Sequence, residues 1–383
     1  MNQQSIPAVF MRGGTSKALM FHARDLPSHQ DDWAPIFCAA MASPDPYGRQ
    51  LNGMGGGVSS LSKVCVLEPS NRPDADIDYT FAQVMIKEAR VDYKSNCGNM
   101  SSAVGPFAVD EQLVDALSDS AIVRIYNTNT SKLIHATFPV DNATTRYDGD
   151  LVIPGVSGSG APIRLDFMEP GGATTGKLLP SGQVVDQLDV PGFGTIRASL
   201  VDAANATVFV QASDVGLTGL ELPDELEARP DILALLEAIR RQASVRMGIA
   251  PDSESASRVT SVPFICVVSP AKNSPTLSGA IIGRGDVDLV ARALSHGQPH
   301  RALPLTVSLC TAVAARIDGS VVAQLRSSSA QNELRLGMPS GILNVGADVQ
   351  FENGQWVART GSFYRTARRL FDGRVWMPGR VHA

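Results

Sequence analysis

Ser62-Lys63-Val64-Cys65-Val66-Leu67 reads as a short β-strand, apolar and β-branched, with a lysine at its start. Far downstream, Pro263-Phe264-Ile265-Cys266-Val267-Val268 has the same shape, and aligning Cys65 with Cys266 sets Phe264 opposite Lys63. A second echo follows each strand. Asn96-Cys97-Gly98-Asn99-Met100-Ser101-Ser102-Ala103-Val104-Gly105 is matched by Leu309-Cys310-Thr311-Ala312-Val313-Ala314, in each case a cysteine that opens a helix of small residues. The separations are 34 residues from Lys63 to Cys97 and 46 from Phe264 to Cys310. Such self-similarity predicts two related halves, 1–185 carrying Lys63 and Cys97 and 186–383 without the lysine, with chain ends free to cross over. The chemistry of such a molecule is asymmetric.

Working outward, strand-like runs dominate. AVFM and ALMF flank Arg12-Gly13-Gly14-Thr15-Ser16-Lys17 as strand, glycine turn, strand. YTFAQVMI, AIVRIYN, DLVIP, ATVFVQA and GILNV are further β-rich runs. LPDELEARPDILALLEAIRRQASVRMG predicts helix broken at Pro230, and VDLVARALSHG predicts a helix stopped by glycine. The class is α+β, without the long βαβ alternation of a parallel sheet.

A formal net charge of −5 argues against nucleic acid as a partner, because phosphate neutralisation needs a basic surface. No stretch of 18 apolar residues predicts a membrane span, and the amino terminus lacks the pattern of a signal peptide. Five cysteines without a CxxC pair argue against a disulfide framework or structural zinc and fit a reducing cytoplasm. His296 and His300 are four apart, but Gly297 and Pro299 break the helix that would pair them on a metal. No metal is expected.

Two stretches carry chemistry. At Ser95-Asn96-Cys97-Gly98-Asn99-Met100 a capping pattern opens a helix whose first amides have no internal partner. Those amides and the helix dipole suit a carboxylate, and the same field favours a thiolate at Cys97. The competing reading is an inert cysteine in a helix cap. Gly53-Met54-Gly55-Gly56-Gly57-Val58-Ser59-Ser60-Leu61-Ser62-Lys63 lacks the GK[ST] of a phosphate loop, and β-branched residues follow it. Its glycines and serines suit an anion nest, with Gly56, Gly57, Ser59 and Ser60 as candidate donors. Burial would make Lys63 a general base, against the plainer reading of a surface lysine. Thr15 and Ser16, Lys177 in Thr175-Gly176-Lys177, and Met338-Pro339-Ser340-Gly341 are turns able to donate to anions or to be turns only. Arg365-Thr366-Ala367-Arg368-Arg369 reads as a solvated face from which one arginine could reach a carboxylate.

These motifs, in this order along nearly the whole chain from Ile6 to Met377, resemble the PrpF family of methylaconitate and aconitate isomerases, which also includes 4-oxalomesaconate tautomerases and methylitaconate isomerases. The resemblance implies a diaminopimelate-epimerase-like fold of two pseudo-symmetric halves, each a sheet around a central helix. It implies a lysine and a cysteine from the first half, here Lys63 and Cys97, as the acid/base pair. It implies an allylic proton shift or cis–trans isomerisation in an unsaturated di- or tricarboxylate such as 2-methylaconitate or aconitate, without a cofactor. Asn96, Gly98, Asn99 and Met100 would hold the substrate. Cys310 lacks the following glycine of a two-cysteine epimerase and would line the site only. The alternatives are a tautomerase of 4-oxalomesaconate, an accessory protein to an aconitase-like enzyme, or an amino-acid epimerase. A homodimer is compatible with the sequence.

Overall fold

The computed structural model describes residues 3–93, 97–116, 118–327 and 333–379. The chain forms two units, Met1–Asp166 with Tyr364–Ala383, and Phe167–Phe363. The break expected at 185/186 therefore falls at 166/167, and the chain's last strand belongs to the first unit. Strand pairing is the reason: Ala367–Met377 runs antiparallel to the first strand, from Gln4↔Met377 to Gly13↔Ala367, with a bulge after Phe10.

In the first unit, β1 (Gln4–Gly13) and β2 (Ser16–His22) form the predicted hairpin. A helix, α1 (Trp33–Met41), follows, then β3 (Lys63–Pro69), parallel to β2 with Ala18 opposite Lys63. Antiparallel β4 (Ile77–Val84) lies beside it, with the short β5 (Val91–Asp92) on β4. After α2 (Gly98–Asp110), β6 (Ser120–Asn127) pairs parallel with β4, and β7 (Lys132–Asp141) antiparallel with β6. The period-2 alternation of strands sorts the side chains. Val64, Val66, Ala82 and Val84 pack with α1, where Phe21 and Phe37 stack 5.9 Å apart. Lys63, Cys65, Tyr79 and Phe81 take the other face, toward α2. Every residue of α2 from Met100 to Val109 is buried. Its small residues let strands close on it; a Cβ on Gly105 would lie 2.6 Å from the Phe138 ring.

The second unit repeats this order and sense. β8 (Asp186–Val190) and β9 (Gly194–Ala203) are antiparallel, as are β9 and β10 (Asn205–Gln211). After α3 (Pro230–Arg246), β11 (Phe264–Pro270) is parallel to β10, and β12 (Leu289–Ser295) antiparallel to β11. After α4 (Leu305–Ala314), β13 (Glu333–Met338) is parallel to β12, and β14 (Gly341–Glu352) antiparallel to β13. Both units thus show a sheet around a central helix, α2 in one and α4 in the other, in the expected α+β class. Phe264 starts β11 where Lys63 starts β3, so the predicted correspondence holds at the level of strand register.

Two expectations fail. VDLVARALS is strand, not helix: Leu289–Ser295 is buried at every residue and bonded on both sides. A strand covered on both faces loses its alternation and reads like a buried helix. Cys310 does not open a helix; it lies inside α4, whose N-cap is Pro304. The place of Cys97 is therefore taken by Pro304 in the second unit.

Candidate active site

Cys97 is the N-cap of α2, in extended conformation and partly exposed. Its carbonyl accepts the first helical bond from the Ser101 amide at 2.9 Å, and the Ser101 hydroxyl at 3.1 Å. The amides of Gly98, Asn99 and Met100 make no hydrogen bond to another described residue, as the first turn of a helix requires. Asn96 and Ser95 lie outside the described residues. The Asn99 side chain faces the β1–β2 hairpin. Its Oδ1 accepts from the exposed Thr15 amide at 3.4 Å and from Arg365 Nε at 3.1 Å. Ser16 is buried at the start of β2. The hairpin meets the helix so closely that a Cβ on Gly14 would lie 2.2 Å from Asn99 Oδ1. Arg365, nearly enclosed, is lowered to about 10 by burial. A cation thus stands beside the first turn of the helix.

Lys63 is buried, 8% exposed, with Nζ 5.1 Å from the centre of the Phe81 ring. Nζ donates to Gln83 Oε1 at 2.5 Å. Two residues along β3, the Cys65 thiol meets the Tyr79 hydroxyl at 3.8 Å. Burial, first of all, pushes the Cys65 thiol far up; the Tyr79 hydroxyl and the charges of Cys97 and Lys63 act on it more weakly. Tyr79 is likewise raised by burial, then by Cys65 and Cys97, and is hydrogen-bonded to Ser101 of α2. Lys63 and Cys97 thus each act electrostatically on the Cys65 thiol.

The glycine-rich loop differs from its reading as an anion nest. Buried Gln50 holds it: Oε1 accepts from the Gly57 amide at 3.0 Å and from the Ser62 hydroxyl at 2.6 Å. Nε2 donates to the Ser43 hydroxyl at 2.8 Å. Gly57 has φ +71° and would place a Cβ 2.5 Å from the Gly48 carbonyl. Its amide is thus engaged inside the protein, and the glycine answers a packing need. Gly56 faces Leu61 and is exposed. Ser59 and Ser60 lie in a 3-10 turn, with the Ser59 carbonyl accepting from Gln83 Nε2 at 3.1 Å.

The remaining candidates lie in the second unit. Cys310 is fully buried, donates to the Val201 carbonyl at 3.4 Å, and is pushed up to about 12 by burial. Lys177 is exposed on a turn whose Thr174 and Thr175 amides donate to buried Asp202 at 2.8 and 2.6 Å. Met338 ends β13 and accepts from the Leu303 amide through sulfur at 3.4 Å. Gly341 begins β14 with φ 139°, and the Ser340 hydroxyl is buried without a partner among the described residues. His296 and His300 each bond a hydroxyl, of Thr260 and Ser295. Sequence reading missed Gln83, Gln50 and Tyr79. The only signal available was that Gln83 lies in an otherwise apolar strand run.

The thiols give a direct test. Alkylation of the native protein at pH 8, followed by peptide mass mapping, is expected to modify Cys97 first. Cys65, Cys266 and Cys310 remain unmodified, because burial holds each as the protonated thiol well above that pH. Equal labelling of Cys310 and Cys97 would contradict the burial described.

Comparison with known proteins bears on the whole chain. A 2-methyl-aconitate isomerase from Cupriavidus necator is 39% identical, with 98% of each chain covered. A 3-methylitaconate isomerase from Eubacterium barkeri is 41% identical, again over 98% of each. The crystal structure of a methylitaconate-delta-isomerase matches with a TM-score of 0.92 at 40% identity, covering 98% of this chain and 96% of that one. The family described as PrpF protein matches residues 3–378. With a family match of that extent and relatives of about 40% identity along nearly the whole chain, the chain belongs to the PrpF family.

Proposed function

We propose that this isomerase moves a proton and a double bond within a small unsaturated di- or tricarboxylate of the 2-methylaconitate or aconitate type, with Lys63 and Cys97 as its acid/base pair. The observation that carries the reading is a buried lysine at the start of β3 and a partly exposed cysteine at the N-cap of α2, whose first-turn amides make no hydrogen bond to another described residue. Names of relatives that cover the whole chain supply the substrate class.

In this reading one group removes a proton from the carbon allylic to the C=C bond. The electron pair enters the conjugated carboxylate as an extended enolate, and a proton returns at the other end of the allyl system. Atoms and electrons balance by proton transfer alone. The barrier is the charge that grows on an already anionic carboxylate, and fixed donors aimed at that oxygen lower it. The amides of Gly98, Asn99 and Met100 suit this role, with Arg365 adding a positive charge beside them. A polyanion favours the charged form of a nearby lysine, which opposes its use as a base. The first-turn amides of α2 and the Arg365 guanidinium offset that charge by holding the carboxylates first.

The test is proton NMR in heavy water with a panel of unsaturated di- and tricarboxylates, including methylated and oxo-substituted members. One compound is expected to isomerise with deuterium entering at the allylic carbon. Deuterium at the α-carbon of an amino acid, with no change in any of the panel, would defeat the proposal.

A further inference from the structure

We propose that Gln83 is the positioning residue that aims Lys63, and that it ties the aim of that amine to the glycine-rich loop. The inference rests on the acid/base reading of Lys63 given above. Gln83 lies on β4 directly opposite Lys63 on β3, so both side chains leave the same face of the sheet. Its Oε1 accepts from Lys63 Nζ at 2.5 Å.

The other end of the amide fixes the orientation. Nε2 donates to the carbonyls of Ser62 at 3.0 Å, Ser59 at 3.1 Å and Val84 at 3.3 Å. An amide rotated by half a turn would set its carbonyl oxygen against three carbonyl oxygens and its NH2 against an ammonium. Donors and acceptors would clash at every contact, so one orientation survives. The carbonyl oxygen is therefore locked toward the amine.

Ser59 and Ser62 belong to the segment that Gln50 holds from its other side, through the Ser62 hydroxyl and the Gly57 amide. The chain of contact runs from Gln50 through Ser62 to Gln83 and on to Lys63. A long, flexible lysine stem would otherwise sample many rotamers, each with the amine displaced from the reacting carbon. In the second unit the position of Lys63 holds Phe264, so no such pair recurs there.

Two variants separate the parts of the claim. Gln83→Met keeps the length and removes both acceptor and anchor. Gln83→Glu keeps an acceptor for Nζ and removes the donor to the three carbonyls. Each is assayed on the panel compound that the wild-type protein turns over fastest, with thermal melting as a check of folding. Both are expected to lower kcat by about a hundredfold, the scale of an ångström's misplacement, with KM nearly unchanged. In Gln83→Met, the 1H–15N signal of the Lys63 ammonium, assigned by its loss in Lys63→Met, is expected to disappear through faster exchange with water. A folded Gln83→Met with wild-type kcat overturns the proposal. Wild-type kcat in Gln83→Glu overturns the anchoring. Should Gln83→Met melt early, the ammonium signal measured well below its melting point decides: retained protection overturns the role. Failure of the acid/base reading shows separately, as undiminished turnover in Lys63→Met.

Discussion

Lys63→Met is expected to lose turnover by about a thousandfold or more, within or beyond the range of a removed general acid or base. The loss should fall on kcat, because in the proposed mechanism the amine acts on a proton while the amides of α2 remain to hold carboxylate. Methionine has nearly the length of lysine and suits a position only 8% exposed beside Phe81. The fold should therefore survive, since replacing a buried charge by a well-packed apolar side chain is often neutral or stabilising. Steady-state kinetics with the active panel compound, set beside a melting curve, tests both parts. Near wild-type turnover in a folded variant would remove Lys63 from the mechanism. Cys97→Ser is expected to be slower than wild type while retaining residual activity, because the electrostatic part of the site is left intact.

Gly13→Val should damage both stability and turnover. A Cβ at residue 13 would lie 2.6 Å from the Asn99 carbonyl oxygen, 3.1 Å from the Met100 Cα and 3.3 Å from the Ala103 Cβ. Two of these are backbone atoms and cannot rotate away. The hairpin or the first turn of α2 must shift, at a cost of about 1–3 kcal/mol for overpacking. That first turn also carries the amides assigned to the growing negative charge, so kcat should fall along with the melting temperature. Gly285→Ala is the matched control: a Cβ there meets nothing within 4 Å. Equal melting temperatures and rates for the two variants would mean that the hairpin and helix are not in the close contact described.

Much of the candidate site was legible because a lysine and a cysteine in these settings are conspicuous in a sequence. A lysine at the start of an apolar β-branched run and a cysteine before glycine and small residues each stand out, and the structure places Lys63 and Cys97 at those positions on β3 and α2. The repeat was readable where strands carried it, through Cys65 and Cys266, and misleading where a lone cysteine carried it. Cys310 looks like Cys97 in sequence but lies a turn and a half into its helix, since sequence does not show where a helix of small residues begins. VDLVARALS misled for a different reason. Alanine, leucine and arginine prefer helix when isolated, but neighbours on both sides impose strand. The role of Gln50 was not readable, and that of Gln83 showed only as a polar residue in a strand run. Each is set by long-range carbonyl and hydroxyl partners, which leave no local pattern.

The composition of α2 has a consequence for the order in which the molecule assembles. Between Gly98 and Asp110 it contains two glycines, two serines, an asparagine and an internal proline, a poor recipe for a free-standing helix. Such a segment gains its helical form from its surroundings rather than from local preference. Chains still on the way to the native state consequently lack the row of oriented N–H groups, however much of the sheet they have built. Competence is expected to arrive with the closing of strands around this segment, and slow amide exchange at Val104, Gly105 and Phe107 to Val109 should appear late and together with the first enzymatic rate.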